Sequence, residues 1–391
     1  MSRIIDIDAH FEPGNDWLTR YPELAARLPE LDSAHLAIDA YTGDLLRDVP
    51  EDKRPSRDDL LPPGLLQLFG QEKIEEAERR AEFEGKTMHE VANALARVKW
   101  LDEQGIDIQH VICLSGFAYH LQVADADLRR EAIAACNSWL AETCGSSNGR
   151  LLPIATIDYT NLDAAVAELE RMRNLGSRIF LLNNQSSEGR PPIHPDWDKV
   201  WDAATRLGMA PMIHGGTMRM RFDPAWGNLG GDAILLRRFG ISHQFFPTMS
   251  MLYGMVYSGI FERFPTLTVM VAEFGSGWMP FMMREIDDRA SAISDLFVGK
   301  WTYPMMPSEY LARNVRITPL QGGGIDKPLT KIIGELPDEM VVFSSDFPHF
   351  EGFTDPLGYY REELKDLDPA RRELFLGGAN EKVFERMGDP L

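Results

Sequence analysis

The chain has 391 residues, 44% of them hydrophobic and 26% charged, which is enough apolar material for a substantial core and excludes a disordered chain. Its 60 acidic against 40 basic residues give a formal charge of −20, and so acidic a surface repels phosphate backbones and anionic lipid heads, which excludes nucleic acid and membrane surfaces as partners. Three cysteines without a C-x-x-C pair, an acidic start (MSRIIDIDAHFEP) with no apolar signal core, and a longest apolar stretch at 249–261 that Gly254 and Gly259 interrupt together point to the cytoplasm.

In chain order, strands are expected at 3–8 (RIIDID), 106–114 (IDIQHVICL), 151–157 (LLPIATI) and 177–183 (SRIFLLN). Four more are expected at 209–214 (MAPMIH), 267–273 (LTVMVAE), 314–318 (NVRIT) and 340–346 (MVVFSSD). Helical periodicity fills most of the intervals, as at 124–143, 162–175 and 196–207; the last begins HPDWDKVW, with a proline and acidic residues suited to a helix start. Alternation of this kind makes an α/β chain, a (β/α)8 TIM barrel forming one domain over 1–391. A doubly wound sheet is the weaker reading, because no G-x-G-x-x-G follows the first strand. Residues 11–105, proline-rich near 50–63 and then charged (QEKIEEAERRAEFEG), read as a helical insertion after the first strand, packed over one face of the barrel. A second long connection, 214–264, precedes the sixth strand.

Barrels of this type carry their chemistry at the C-terminal ends of the strands. Here the first strand ends Asp8-Ala9-His10-Phe11-Glu12, the fifth at His214, the sixth at Glu273 and the eighth at Asp346. Singly, each fits a cap or a hydrogen-bonded turn. Jointly, at one mouth, carboxylates so crowded repel one another unless a cation neutralises them. Imidazole and carboxylate donors suit Zn, Mn or Fe, and Asp8 and His10, as alternate residues of one strand, share a face. Four carboxylates (Asp8, Glu12, Glu273, Asp346) leave one divalent cation in a strongly anionic site. Either two cations balance it, or Glu12 beside Pro13 points away, or one carboxylate is protonated and acts as an acid.

Around this centre, His243 (HQFFP) is a candidate general acid/base or further ligand, and His349 is expected to orient the eighth loop. Arg219 and Arg221 are candidates to clamp a substrate carboxylate, and His120 is a candidate substrate contact. Methionines and aromatics between Met218 and Tyr253 suggest an adaptable apolar wall for a substrate with a sizeable apolar body.

With DIDAHFEP, PMIHGG, SGIFERFPTLTVMVAEFGSGWMPFMMREID and FSSDFPH, the chain resembles the amidohydrolase superfamily, in the branch of aminocarboxymuconate-semialdehyde decarboxylase. The resemblance implies metal ligation by His10, His214 and Asp346, with Asp8 at the first-strand position that is often His or Glu elsewhere. It also implies that Asp346 handles a proton or orients bound water, and that the chain forms a homo-oligomer, a dimer. Three departures stand out: D-x-H replaces H-x-H, Glu273 stands where many relatives have His, and no lysine ends the fourth strand (LLNNQ). The function implied is a metal-dependent hydrolase or carboxy-lyase acting on an organic acid or carbonyl compound. The alternative within the superfamily is a nonheme diiron monooxygenase of a natural-product pathway, with two Fe held by the carboxylate-rich set.

Overall fold

The computed structural model describes residues 2–11, 16–29, 42–43, 45–60, 93–291, 293–320, 324–349 and 355–391. Among these residues seven parallel strands lie in sequence order: β1 (Ile5–Phe11), β2 (Ile108–Cys113), β3 (Leu151–Ala155), β4 (Ile179–Leu181), β5 (Ala210–Ile213), β6 (Val269–Val271) and β7 (Val315–Ile317). Helices run between them, and they begin as the sequence patterns require. The helix Leu162–Asn174 is capped by the Asn161 side chain, the helix Ala126–Gly145 by Asp125, and Pro195 opens a 3-10 turn ahead of the helix Asp198–Leu207.

The eighth stretch, 340–346, is not a regular strand. It touches its neighbours through single parallel bridges, Ile317 with Val341 and Ala9 with Phe347, so both edges of the sheet meet it. Its ladder breaks because Asp346 adopts a left-handed backbone (φ 52°) and because the Phe343 N–H donates to the Phe375 carbonyl instead of to a strand.

Alternate strand residues sort into two apolar layers. Ile5, Ile7, Ile108, Ile112, Ile154, Ile179, Met212, Met270 and Val342 converge on one another, which only the concave face of a curled sheet allows. Val111, Phe180, Ile213, Val271 and Ile317 pack outward against the helices. The C-terminal helix Ala379–Arg386 uses its apolar face internally: Val383 and Phe384 join the concave layer, Phe384 stacks on His110, and Gly377 lies against the Arg3 carbonyl where a Cβ would stand 1.8 Å away. That helix therefore closes the N-terminal end of the strands and leaves the C-terminal end for the site.

Within 11–105 the described residues form short turns at Asp16–Arg20, Pro22–Ala25, Glu51–Lys53 and Arg57–Leu60, and the helix Ala94–Gln104. The charged run at 71–85 lies outside the described residues. Leu45, Leu46, Val49 and Leu60 pack on Ala233 and Leu236, which sets this segment against the 214–264 connection. Among the described residues no helix is long and apolar enough to cross a membrane.

Candidate metal centre

A β-bulge orients the first pair of candidate ligands. Asp6 pairs with Gln109 and Ala9 with Val111, so Ile7 and Asp8 together span the place of His110. Before the bulge Ile5 and Ile7 point inward and Asp6 outward; after it His10, opposite the inward Ile112, faces the concave side and Phe11 joins the outer layer. His214 follows β5 directly, and Glu273 stands two residues beyond β6. Glu273 (φ 63°) and Asp346 (φ 52°) are both held in the left-handed region, at a cost of about 1–3 kcal/mol each that the surrounding fold must offset. Strain of this kind turns two strand-end carboxylates back over the mouth.

The side chains converge. His10 Nε2 lies 3.2 Å from Glu273 Oε1, 3.2 Å from Asp346 Oδ1 and 3.7 Å from Asp8 Oδ1. His214 Nε2 lies 3.1 Å from Glu273 Oε1 and 3.3 Å from Asp8 Oδ1. His349 Nδ1 is 3.0 Å from Asp346 Oδ1 and 3.5 Å from Glu273 Oε1, and its ring stacks on His10 with centroids 3.8 Å apart. Two overlapping donor sets result, Asp8–His10–His214–Glu273 and His10–Glu273–Asp346–His349. Gly215 makes room for them: a Cβ there would stand 2.1 Å from Glu273 Oε2.

The electrostatics are those of a site built for a cation. Burial disfavours the charged His214, yet the Glu273 and Asp8 carboxylates raise its pKa well above the ordinary value; His10 is raised likewise by Asp346, Glu273 and Asp8 against burial and the neighbouring His349. Burial also opposes ionised Glu273, but the charge of His214 beside it, with His10 and His349 close by, holds it well below the usual carboxylate range. Burial, then the Glu273 charge, pushes Asp346 up. Both carboxylate oxygens of Asp8 and of Asp346, and His214 Nε2, are buried without a hydrogen-bond partner, an arrangement that is expensive unless something else satisfies them. His214 donates Nδ1–H to the Gly215 carbonyl (3.0 Å), which leaves Nε2 facing the carboxylates as the nitrogen a metal would take. Oxygen and imidazole donors with unsatisfied lone pairs fit a divalent ion of the Zn, Mn or Fe class.

Of the residues singled out in the sequence, Asp8, His10, His214, Glu273 and Asp346 are brought together, and Glu12 lies outside the described residues. His243 is not in either donor set. It donates Nδ1–H to the Phe239 carbonyl (2.5 Å) within a cage of Phe222, Phe239 and Phe246, and it lines a narrow, partly open cleft with Met218, Arg219, Phe222 and Phe274. Arg219 reaches that cleft because the Asn184 amide grips its backbone, accepting its N–H at 2.8 Å. Arg221 is exposed. His120 accepts at Nε2 from the Asn183 amide (3.1 Å), and burial pushes it down to about 4, so it is neutral. Sequence reasoning gave His349 a lesser place than its position in the cluster warrants, and it passed over Asp6. The alternation D-x-D-x-H was the available signal for Asp6, but it pointed to the wrong face.

Comparison with known proteins gives a consistent picture. The model of the amidohydrolase family matches residues 114–386. A gamma-resorcylate decarboxylase of Rhizobium sp. is 24% identical over 258 residues, covering 64% of this chain and 76% of that protein. A 2-amino-3-carboxymuconate-6-semialdehyde decarboxylase of Dictyostelium discoideum is 24% identical over 289 residues, covering 72% and 74%. The crystal structure of a 5-carboxyvanillate decarboxylase of Novosphingobium aromaticivorans, complexed with manganese, superposes with a TM-score of 0.63 at 17% identity, covering 98% of this chain and 96% of that one; the likeness is one of fold.

Proposed function

Since the chain belongs to the amidohydrolase family, we propose that it is a metal-dependent, non-oxidative decarboxylase of an aromatic carboxylic acid. In this reading the sheet is a closed (β/α)8 barrel with the segment 341–347 as its eighth stave. The observation that carries the reading is the buried set of Asp8, His10, His214 and Asp346 around the half-buried Glu273, with carboxylate oxygens and an imidazole nitrogen left without hydrogen-bond partners. The decarboxylase relatives favour carboxy-lyase over hydrolase chemistry. They lend no support to the diiron monooxygenase, which rests on ligand inventory alone.

Asp8, His10, His214 and Glu273 would hold the cation, with Asp346 and His349 in the overlapping set beside it. When bound, a divalent ion draws electron density from substrate oxygens and so stabilises negative charge there. Decarboxylation breaks the ring–carboxylate bond and puts hydrogen in its place, so one proton must reach the ring carbon. Asp346 and Glu273 are neighbouring carboxylates whose surroundings push their proton affinities apart, the usual mark of an acid and its charged companion. Asp346 delivers the proton, and His349, 3.0 Å from Asp346 Oδ1, resupplies it. Met218, Phe222 and Phe274 form the apolar wall for the ring, and Arg219 at the same cleft faces the substrate's acidic group. His243, its Nδ1–H committed to Phe239, has only Nε2 left to exchange a proton with substrate.

The test is to incubate manganese-loaded protein under argon with 2,6-dihydroxybenzoate and with 5-carboxyvanillate, measuring carbon dioxide release. Stoichiometric release without oxygen is expected from an aromatic acid of this class. Turnover that consumes oxygen and a reductant, or that adds water to an ester or amide with no carbon dioxide, would overturn the reading.

A further inference from the structure

The candidate ligands of β1 and of the segment 341–347 meet at the seam where the sheet has least ladder. β1 carries its bulge there, and the eighth segment meets β1 through a single bridge, Ala9–Phe347, with two backbone hydrogen bonds: Asp346 N–H to the Asp8 carbonyl (3.0 Å) and His10 N–H to the Phe347 carbonyl (2.8 Å). Behind the seam, on the outer side of β1, lies Asp6, fully buried. Its carboxylate accepts from four donors: Ser345 N–H (2.9 Å), Ser345 Oγ–H (2.5 Å), the Gln109 side-chain amide (2.8 Å) and Asp8 N–H (3.3 Å). Gln109 in turn accepts from Arg97 Nη1 at 2.7 Å, and Arg97 Nη2 donates to the His10 carbonyl at 2.7 Å. The guanidinium is held by the rings of Phe11 and Phe347, at 5.0 and 4.5 Å from their centroids. The chain Arg97–Gln109–Asp6–Ser345 thus grips the backbone of Asp8, of His10 and of the residue before Asp346, while none of its side chains belongs to the donor sets.

We infer that Asp6 is a positioning residue that reinforces this short ladder: with the backbone hydrogen bond between Asp346 and Asp8 it fixes the distance between the Asp8–His10 pair and Asp346, and with it the affinity of the centre for a divalent cation. The inference rests on the reading of that cluster as a metal centre. An acid is needed at this position because all four partners are donors. In an Asp6→Asn variant the new NH₂ faces two donors wherever it sits: at the Oδ1 position the backbone N–H groups of Ser345 and Asp8, which cannot accept, and at the Oδ2 position the Ser345 hydroxyl and the Gln109 amide, of which the hydroxyl can rotate to accept. Gln109 can satisfy it only by turning its amide over, which strips Arg97 of its acceptor and releases the His10 carbonyl.

The experiment is a manganese titration of the metal-free full chain by calorimetry. It is accompanied by the electron paramagnetic resonance spectrum of the bound ion and the thermal midpoint of the metal-free protein. Asp6→Asn should weaken manganese binding about 10- to 100-fold and change the spectrum, and Ser345→Ala, which keeps the N–H but removes the hydroxyl, should weaken it about 10-fold. The metal-free midpoints should move by only a few degrees. Unchanged affinity and spectrum in both variants overturn the inference, as does a lowered midpoint with unchanged affinity, the signature of a merely structural acid. Should Asp6→Asn fail to fold, Ser345→Ala decides the matter alone. Wild-type protein that binds no manganese removes the metal centre, and the inference falls with it, by an outcome visible before any variant is made.

Discussion

Replacing Gly215 by alanine is a one-carbon probe of the centre. The backbone at Gly215 is outside the left-handed region, so alanine carries no conformational penalty there; the cost is contact. The new Cβ would stand 2.1 Å from Glu273 Oε2, where ordinary contact begins at 3.4 Å, so the carboxylate must retreat by about 1.3 Å. Glu273 has little room to do so cheaply, because Oε1 is engaged by His10 at 3.2 Å, His214 at 3.1 Å and His349 at 3.5 Å. A misplacement of about 1 Å in a catalytic constellation costs on the order of 100-fold in rate, or about 2.7 kcal/mol of transition-state stabilisation. Manganese affinity should fall by a similar factor, about 10- to 100-fold. Fold stability should change by less than about 1 kcal/mol, about 2–4 °C in thermal midpoint, because the clash is with one side chain at the mouth and not with the core. The assay pairs steady-state kinetics with calorimetric manganese binding and a melting curve. Gly334→Ala, in the helix Leu329–Glu335 with nothing within 4 Å of its added carbon, serves as the control and should be neutral or slightly stabilising. Wild-type turnover and manganese affinity in Gly215→Ala would refute the claim that Glu273 must sit where it does.

Asp346→Asn keeps the shape of the side chain and removes its proton chemistry, so it should abolish turnover while circular dichroism and melting stay as in the wild type; near-normal activity would remove Asp346 from the mechanism. Neighbouring carboxylates raise the pKa values of His10 and His214 in the metal-free protein, so a cation competes with protons at both rings. Manganese binding should therefore release up to about two protons and weaken as pH falls; calorimetry in buffers of different ionisation enthalpy reads that number, and zero release would contradict it. The two donor sets share His10 and Glu273, which leaves one well-provided position, so chelator-free anaerobic protein should hold about one divalent ion per chain by elemental analysis. Two irons per chain would fill both sets and restore the oxygenase.

The strands and their polar ends were legible because both are local. Runs such as VMVAE and RIIDID alternate or saturate with apolar residues and then stop at a group that cannot enter an apolar layer, and in parallel α/β units such stops share one face. Asp8, His10, His214, Glu273 and Asp346 were recoverable on those grounds. His243 was a candidate general acid/base or further ligand in sequence, yet its ring is taken up by Phe222, Phe239 and Phe246, neighbours that no spacing rule supplies. The expected eighth strand, 340–346, is apolar enough to be one, but its final residue turns left-handed to present a carboxylate, and the ladder yields to that need.

The sequence by itself determined the order of strands and helices and the kinds of donor atom at the strand ends, since periodicity and residue chemistry are properties of neighbours along the chain. Only the tertiary structure decided which face each donor takes. A single extra residue in β1 turns His10 inward and Asp6 outward, contrary to simple alternation. The hydroxyl that holds Asp6 comes from Ser345, 339 positions away, and the space that Glu273 occupies exists because Gly215 on another strand end has no side chain. Register and close approach are set by contacts between distant segments, and those come into being only when the strands assemble.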